Sequence, residues 1–354
     1  MHHQMNNSTT ILTVNPNMVI LAREARGFTQ QELAEKISLH GANMSRLEAG
    51  DTNISEETIQ AIAKATGYPP AFFTQPGESL SPNLSYRKRE NVPAKLLTPI
   101  EAQMNIIRRN VQWVSRELKA APPTIPVLEV TAQNTPFRIA ELVRKQWKIE
   151  KGPVQNLTQV IEQNGIIISS FDFKTERVDS KNMLTDDKLP IIFYNRTLPG
   201  DRLRYSLSYE LAQLIMHTFV RVPADRDISR EANHFAASLL MPEKEIRKDL
   251  EGNITLALLG ELKRKWKVSM ISLLYRADDL GLLTPNQKRY LIQQFNQAKI
   301  RRREPVELDI PQEKPALLPN LMKKYMAKHK IDIKGLSARL AIPKEDYLNY
   351  YDNC

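Results

Sequence analysis

The chain is almost without cysteine: among 354 residues the one thiol is Cys354, the last. No internal disulfide can form, which excludes a bridge-stapled scaffold and makes a reducing, cytoplasmic setting the expectation. Glycine is scarce, 12 in all, and none is gathered into a phosphate-cradling loop. No apolar run comes near the ~20 residues that a membrane span needs, so no membrane partner is expected. The stretch from Met1 to Ser8 has no basic head followed by an apolar core and does not read as a signal peptide. His2 and His3 alone make a poor metal site. Apolar residues at 42% and charged residues at 25% are ordinary globular usage, which excludes a collagen or a disordered tail protein. No low-complexity tract and no internal repeat is evident in the sequence.

What is present in quantity is charge. The chain holds 50 Lys and Arg against 40 Asp and Glu, and its net charge of +10 points to a polyanionic partner. The excess does not lie at the N-terminus, where residues 1–75 carry five Lys or Arg and seven Asp or Glu. It lies in Arg87-Lys88-Arg89, Arg108-Arg109, Lys263-Arg264-Lys265 with Lys267, and Arg301-Arg302-Arg303, clusters that lend support to nucleic-acid contact.

At roughly 100–200 residues per domain the length fits two or three domains. Residues 1–75 read as a run of short helices. Met18, Ile20, Leu21 and Ala25 recur at helical spacing before Gly27, and Thr29 caps a second helix with Glu32 completing a capping box. A third runs from about His40 to Glu48, ending at Gly50, and a fourth from the cap Ser55 to Gly67. Residues 76–125 read as a linker with a helix from Pro99 to Leu118, and residues 126–305 as an α+β domain. That domain has strands at Gly165–Phe171 and Leu189–Asn195 and helices at 137–147, 201–218, 230–240, 256–265 and 270–280. Residues 306–354 form a helical tail. Trp113, Trp147 and Trp266 sit in apolar helical patterns and are expected in the core.

Two short helices around the turn Ser38-Leu39 make a DNA-reading unit, with the second helix in the major groove. Phe28-Thr29-Gln30-Gln31-Glu32-Leu33-Ala34, Met44-Ser45-Arg46-Leu47-Glu48-Ala49-Gly50 and Ile59-Gln60-Ala61-Ile62-Ala63 resemble the lambda-repressor-like (XRE) family over about 60 residues. The family's turn usually carries Gly where this chain has Ser38, so a strained turn is expected. The face offered to bases holds His40, Gly41, Ala42, Asn43 and Arg46. Asn reads adenine and Arg reads guanine through paired hydrogen bonds. Gln30, at a helix N-terminus, is placed to hold a phosphate.

The second constellation is Asp201 to His217, with Tyr209-Glu210-Leu211-Ala212-Gln213, followed by Glu231-Ala232-Asn233-His234 through Met241-Pro242. With the later stretches Leu262–Met270 and Leu273–Ala277, it resembles the ImmA/IrrE family of zinc peptidase domains over roughly residues 130–305. The implied fold is zincin-like α+β with a small sheet, in a chain that is mainly α. The family's chemistry needs H-E-x-x-H on one helix, where residues four apart share a face. The resemblance puts Tyr209 and Gln213 where the two His would stand, Glu210 at the general base and Glu231 at the third ligand. A phenol with a pKa near ~10 and a neutral amide are poor zinc ligands. No catalytic residue, no metal and no cofactor is therefore expected, and Tyr209 with Gln213 should fill the vacant site as a hydrogen-bonded pair. A rescue of zinc binding by His217, His234, Glu210 and Glu231 is the opposing possibility.

Ser206 and Ser208 have no matched His and Asp, so no serine nucleophile is read. The tail holds a basic amphipathic stretch, Leu321 to Lys328, and Leu336–Pro343 faintly echoes a small helical unit. The expected function is a DNA-binding transcriptional repressor of double-stranded operator DNA, acting as a homodimer. Its peptidase-like domain would be inactive and would sense a ligand or bind a protein partner. The resemblance links such chains to lysogeny control, phage and other mobile elements, stress response and toxin–antitoxin pairs. The alternatives are an active zinc peptidase with unusual ligands that cleaves a repressor, and an antitoxin or defence component that holds a protein partner.

Overall fold

A computed structural model of the chain describes residues 14–52, 54–77, 87–88, 92–301 and 303–352. His2, His3, Arg89, Arg302, Cys354 and residues 78–86 of the expected linker lie outside the described residues. In chain order the elements are α1 (Pro16–Ala25), α2 (Gln30–Lys36), α3 (Gly41–Ala49), α4 (Glu56–Thr66), β1 (Arg87–Lys88), α5 (Ala94–Glu117), α6 (Pro136–Gln146), α7 (Leu157–Gln163), β2 (Ile167–Phe171), β3 (Val178–Leu184) and β4 (Pro190–Asn195). Then come α8 (Gly200–Met216), α9 (Ile228–Leu240), α10 (Glu243–Asp249), α11 (Leu256–Trp266), α12 (Met270–Asp279), α13 (Pro285–Gln297), α14 (Leu317–His329), α15 (Ile333–Leu340) and α16 (Lys344–Tyr347). No helix among the described residues is long and apolar enough to cross a membrane. The described residues fall into two compact units: those within 14–77, 92–113 and 323–352 form one, those within 87–88 and 114–322 the other.

The first unit is helical throughout, and its helix ends follow the local chemistry. The Thr29 hydroxyl accepts the Glu32 N–H while the Glu32 carboxylate accepts the Thr29 N–H, so two orphan donors at the start of α2 are satisfied reciprocally. Gly50 and Gly67 close α3 and α4 in the left-handed region, at φ 80 and 76, where a side chain would clash. Met18, Leu21, Leu33, Met44, Ile59, Ile62 and Phe72 are buried between the helices. Burial of each large apolar side chain stabilises the unit by roughly 1.5–3 kcal/mol relative to exposure. Helix α5 begins at Ala94 rather than at Pro99, which lies inside it. A proline there forgoes one backbone hydrogen bond, and the apolar face from Ile100 to Val111, buried at Ile100, Met104, Ile107 and Val111, holds the helix together regardless. Trp113 is not core: it is 37% exposed and leans on Tyr325 at 5.1 Å.

The second unit is α+β. Its four-stranded sheet runs in the order β1-β3-β4-β2, with β2 parallel and β3 antiparallel to β4. Two of these strands, β1 and β3, were not expected. Val178-Asp179-Ser180-Lys181-Asn182 is too polar to read as a buried strand, yet all five residues are buried. Ser180 and Asn182, two apart, share one strand face, and that face meets α8. Around it Ile168, Ile192, Leu207, Leu211, Phe235, Leu239, Trp266 and Leu273 form one continuous core.

Several members of the basic clusters are held within the fold, while Arg264 and Arg301 are exposed. Arg108 is 1% exposed, and Arg109 donates to the Pro76 carbonyl at 2.6 Å. Lys263 is buried between Asp201 at 2.5 Å and Glu304 at 2.6 Å. Lys265 pairs with Asp249, and Arg303 with Asp309. Arg108 and Lys263 are thus committed to the interior, whereas Lys265 and Arg303 stay half exposed in surface pairs.

Candidate functional site

Two sites were expected, one in each unit. In the first, α1 and α3 are locked by a buried ion pair. Arg23 on α1 grips Glu48 on α3 with two bonds, Nε to Oε1 at 2.6 Å and Nη2 to Oε2 at 3.0 Å. Its Nη1 donates to the Phe28 carbonyl at 2.8 Å. The Gln30 amide also donates to Glu48, at 2.6 Å, so this nitrogen serves the fold rather than standing free for a phosphate. His40 caps α3, its Nδ1 accepting the Ala42 N–H at 3.3 Å. His40, Gly41, Ala42, Asn43, Ser45 and Arg46 are all exposed, while Met44 and Leu47 are buried. Ser45, which the sequence reading left out, shares this exposure. Ser38 sits at φ 56, the left-handed turn that glycine would occupy at least cost.

In the second unit, α8 carries Tyr205, Tyr209 and Gln213 along one face at successive intervals of four, and α9 brings Glu231 to it. These side chains form a chain of contacts. The Tyr209 hydroxyl lies 3.3 Å from the Ser229 hydroxyl and accepts from the Gln213 amide at 3.4 Å. Gln213 meets His217 Nδ1 at 3.0 Å, and His217 Nε2 meets Glu231 at 2.8 Å. Arg226 closes the chain with two bonds to Glu231, at 2.7 and 2.5 Å. The Tyr209–Gln213 pairing follows the sequence reading. Burial pushes the His217 imidazole below its ordinary value, against the pull of Glu231. Burial alone would raise the Glu231 carboxyl, but the bonds from Arg226 and His217 outweigh it and hold it below the usual carboxylate range.

Glu210 faces away from this chain. It is fully buried, with Ser180 donating at 2.7 Å to one oxygen and Asn182 at 2.6 Å to the other. Burial pushes its pKa up to about 7, an effect the two hydrogen bonds reduce. Arg87, read only as part of a charge run, stacks on two of the α8 phenols. Its guanidinium lies 4.8 Å from the Tyr205 ring centre and 5.0 Å from that of Tyr209, and 3.8 Å from Asp179.

These residues do not fit a zinc ion. An amide and a phenol take the places of two imidazoles, both ends of Gln213 are engaged, and the Glu231 carboxylate is neutralised by Arg226. The four-residue rescue is not assembled. His217 and Glu231 meet, but His234 stacks on Phe137 at 4.7 Å and Glu210 is bound to β3. Among the described residues no three His, Cys, Asp or Glu side chains gather as ligands.

Comparison with known proteins agrees with this division. Residues 19–73 match the helix-turn-helix family model and residues 161–278 match the family model of the IrrE N-terminal-like domain. No curated protein matches the chain. Among solved structures it is similar to Bacillus thuringiensis PlcR in complex with the peptide PapR7 and DNA, at 11% identity over 96% of this chain and 94% of that one, with a TM-score of 0.17. The chain thus joins a helix-turn-helix domain of XRE type to an IrrE-like domain.

Proposed function

We propose that this protein is a DNA-binding transcriptional repressor whose IrrE-like domain has lost peptidase chemistry and serves as a sensor or partner-binding domain. The observation that carries the reading is a contrast in exposure. The start of α3 offers His40, Gly41, Ala42, Asn43 and Arg46 to solvent on a rigid base, whereas Glu210 is sealed in the core with both oxygens engaged. A general base has to reach the proton it takes, within about 2.6–3.2 Å or through one water. Glu210 meets Ser180 and Asn182 instead. Reading of two half-sites about one helical turn apart calls for a homodimer.

Selection of genomic fragments on the purified chain tests DNA reading. A recurrent site with two related halves is the expected result, and recovery of unrelated fragments would defeat it. Metal analysis of protein purified without added zinc tests the other half. Less than stoichiometric zinc is expected, whereas one zinc per chain that disappears in Glu231→Ala would restore the peptidase.

A further inference from the structure

The helices at the C-terminus contain a repeat that the sequence hides. Residues 332–352 follow the design of residues 29–49, each position shifted by 303, except that Leu348–Asp352 wind as a π-helix where residues 45–49 stay α-helical. Asp332 caps α15 through the Gly335 N–H at 2.8 Å, as Thr29 caps α2 through the Glu32 N–H at 3.1 Å. Ala341 stands at φ 54 where Ser38 stands at φ 56. The backbone bonds recur as well. The Leu39 N–H donates to Ala34 at 2.9 Å and the Ile342 N–H to Ser337 at 3.1 Å; the Met44 N–H donates to His40 at 3.2 Å and the Tyr347 N–H to Pro343 at 3.0 Å. Buried positions coincide at Leu33 and Leu336, Met44 and Tyr347, Leu47 and Tyr350. Of the 21 paired positions only Leu33 and Leu336 are identical, which is why no repeat shows in the sequence.

The two motifs differ in what faces outward. The first shows the start of α3 to solvent. The second turns that position inward: Asp346, counterpart of Asn43, takes the Arg26 guanidinium in two bonds at 3.1 and 2.8 Å. Gln75 donates to the Leu340 carbonyl at 3.2 Å, and the Tyr351 hydroxyl accepts from Asn110 at 2.9 Å. The excess of exposed basic charge lies on α14 and the turn after it, not on the motif itself, where residues 332–352 hold three Lys or Arg against four Asp or Glu. Residues 323–344 hold seven Lys or Arg against one Asp, and Lys323, Lys324, Lys330, Lys334 and Lys344 are exposed. The first motif, residues 29–49, is no more basic, with two Lys or Arg against three Glu. Of the five cations in residues 1–75, Arg23 and Arg26 are held by Glu48 and Asp346.

We propose that residues 332–352 are a second helix-turn-helix motif that no longer reads bases, docks on the first through Asp346, and with α14 presents the lysines that contact DNA phosphates. The inference rests on the DNA-reading proposal above and names where its electrostatic grip resides. Each phosphate contact releases counterions and adds about 0.9 to the slope of log affinity against log salt.

The test uses the full chain with Lys323→Gln, Lys324→Gln, Lys330→Gln and Lys334→Gln together, titrated against a selected fragment and an unrelated duplex over a range of salt. The slope should fall by roughly 1 for each contact removed, and affinity for both duplexes should drop by similar factors, leaving the preference between them intact. A control with Lys145→Gln, Lys148→Gln and Lys151→Gln in the other unit should keep the original slope. An unchanged slope in a protein that still binds DNA overturns the phosphate role. Failure of the unaltered chain to bind any duplex overturns DNA reading itself, a result that is distinct because no variant is involved. Docking is read separately by amide exchange. Asp346→Ala should speed exchange in α15 and α16 at least tenfold and leave α8 unaffected, and the exchanged pair Arg26→Asp with Asp346→Arg should restore protection. Equal exchange in Asp346→Ala and the unaltered chain overturns docking.

Discussion

The start of α3 and the middle of α8 are both places where a family resemblance puts chemistry, and they are built in opposite ways. Around α3 the polar bonds lie beneath the exposed face. Arg23, Gln30 and Glu48 satisfy one another, and Asn43 and Arg46 are left exposed. Around α8 the polar bonds are among the would-be working residues themselves, from Ser229 through Tyr209, Gln213 and His217 to Glu231 and Arg226. A side chain committed to an internal partner has to break that bond before it serves a ligand, at a net cost of about 0.5–1.5 kcal/mol for each neutral bond and more for charged ones. Residue types alone do not mark a site. Their supporting bonds decide whether they face a partner or one another.

The largest effect should come from removing the support under α3. Glu48→Ala leaves the Arg23 guanidinium buried without its carboxylate, which costs about 3–5 kcal/mol. Denaturant unfolding of the helix-turn-helix unit should show that loss together with loss of DNA binding. A stable, DNA-binding Glu48→Ala protein would remove the pair from the account.

Next in size is the buried acid of α8. Because the folded pKa of Glu210, about 7, lies above the ordinary 4.5, the folded state binds the proton more tightly. Its stabilisation is complete below pH 4.5 and drains away as pH rises through 7. At about 1.36 kcal/mol per pH unit the difference by pH 8 is on the order of 3 kcal/mol. Glu210→Gln cannot ionise, so its unfolding midpoint should shift less between pH 5 and pH 8 than that of the unaltered protein. Equal shifts would contradict burial of a titrating acid. The smallest effect is at the turn. Ser38→Gly relieves the left-handed backbone at the expense of greater chain entropy when unfolded, for a net gain of about 0.5 kcal/mol in thermal unfolding. A loss of stability there would mean that the serine side chain supports the turn.

Much of the first unit was legible in the sequence because its signals are local. Thr29 with Glu32, Ser55, Gly50 and Gly67 mark helix ends within a few residues of themselves. The substitution of Tyr209 and Gln213 for two histidines was legible for the same reason, since four residues on a helix define one face. What escaped was non-local. Arg23 and Glu48 are 25 residues apart, and nothing at either position announces the other. β3 was missed because its Ser180 and Asn182 look like loop residues until Glu210 is seen to take their hydrogen bonds. Arg87 looked like one charge in a run until the phenols of Tyr205 and Tyr209 were found beneath it. The repeated motif was hidden because caps, a left-handed turn and buried positions were retained while the residue types changed.

The contrast between the two sites is tested most directly by one titration of a selected DNA fragment with two variants side by side. Arg46→Ala should weaken specific binding by about 1–3 kcal/mol and relax base preference at one position, whereas Glu210→Gln should bind as the unaltered chain does. The reverse outcome, an unchanged Arg46→Ala isotherm with binding lost in a folded Glu210→Gln protein, would contradict the account.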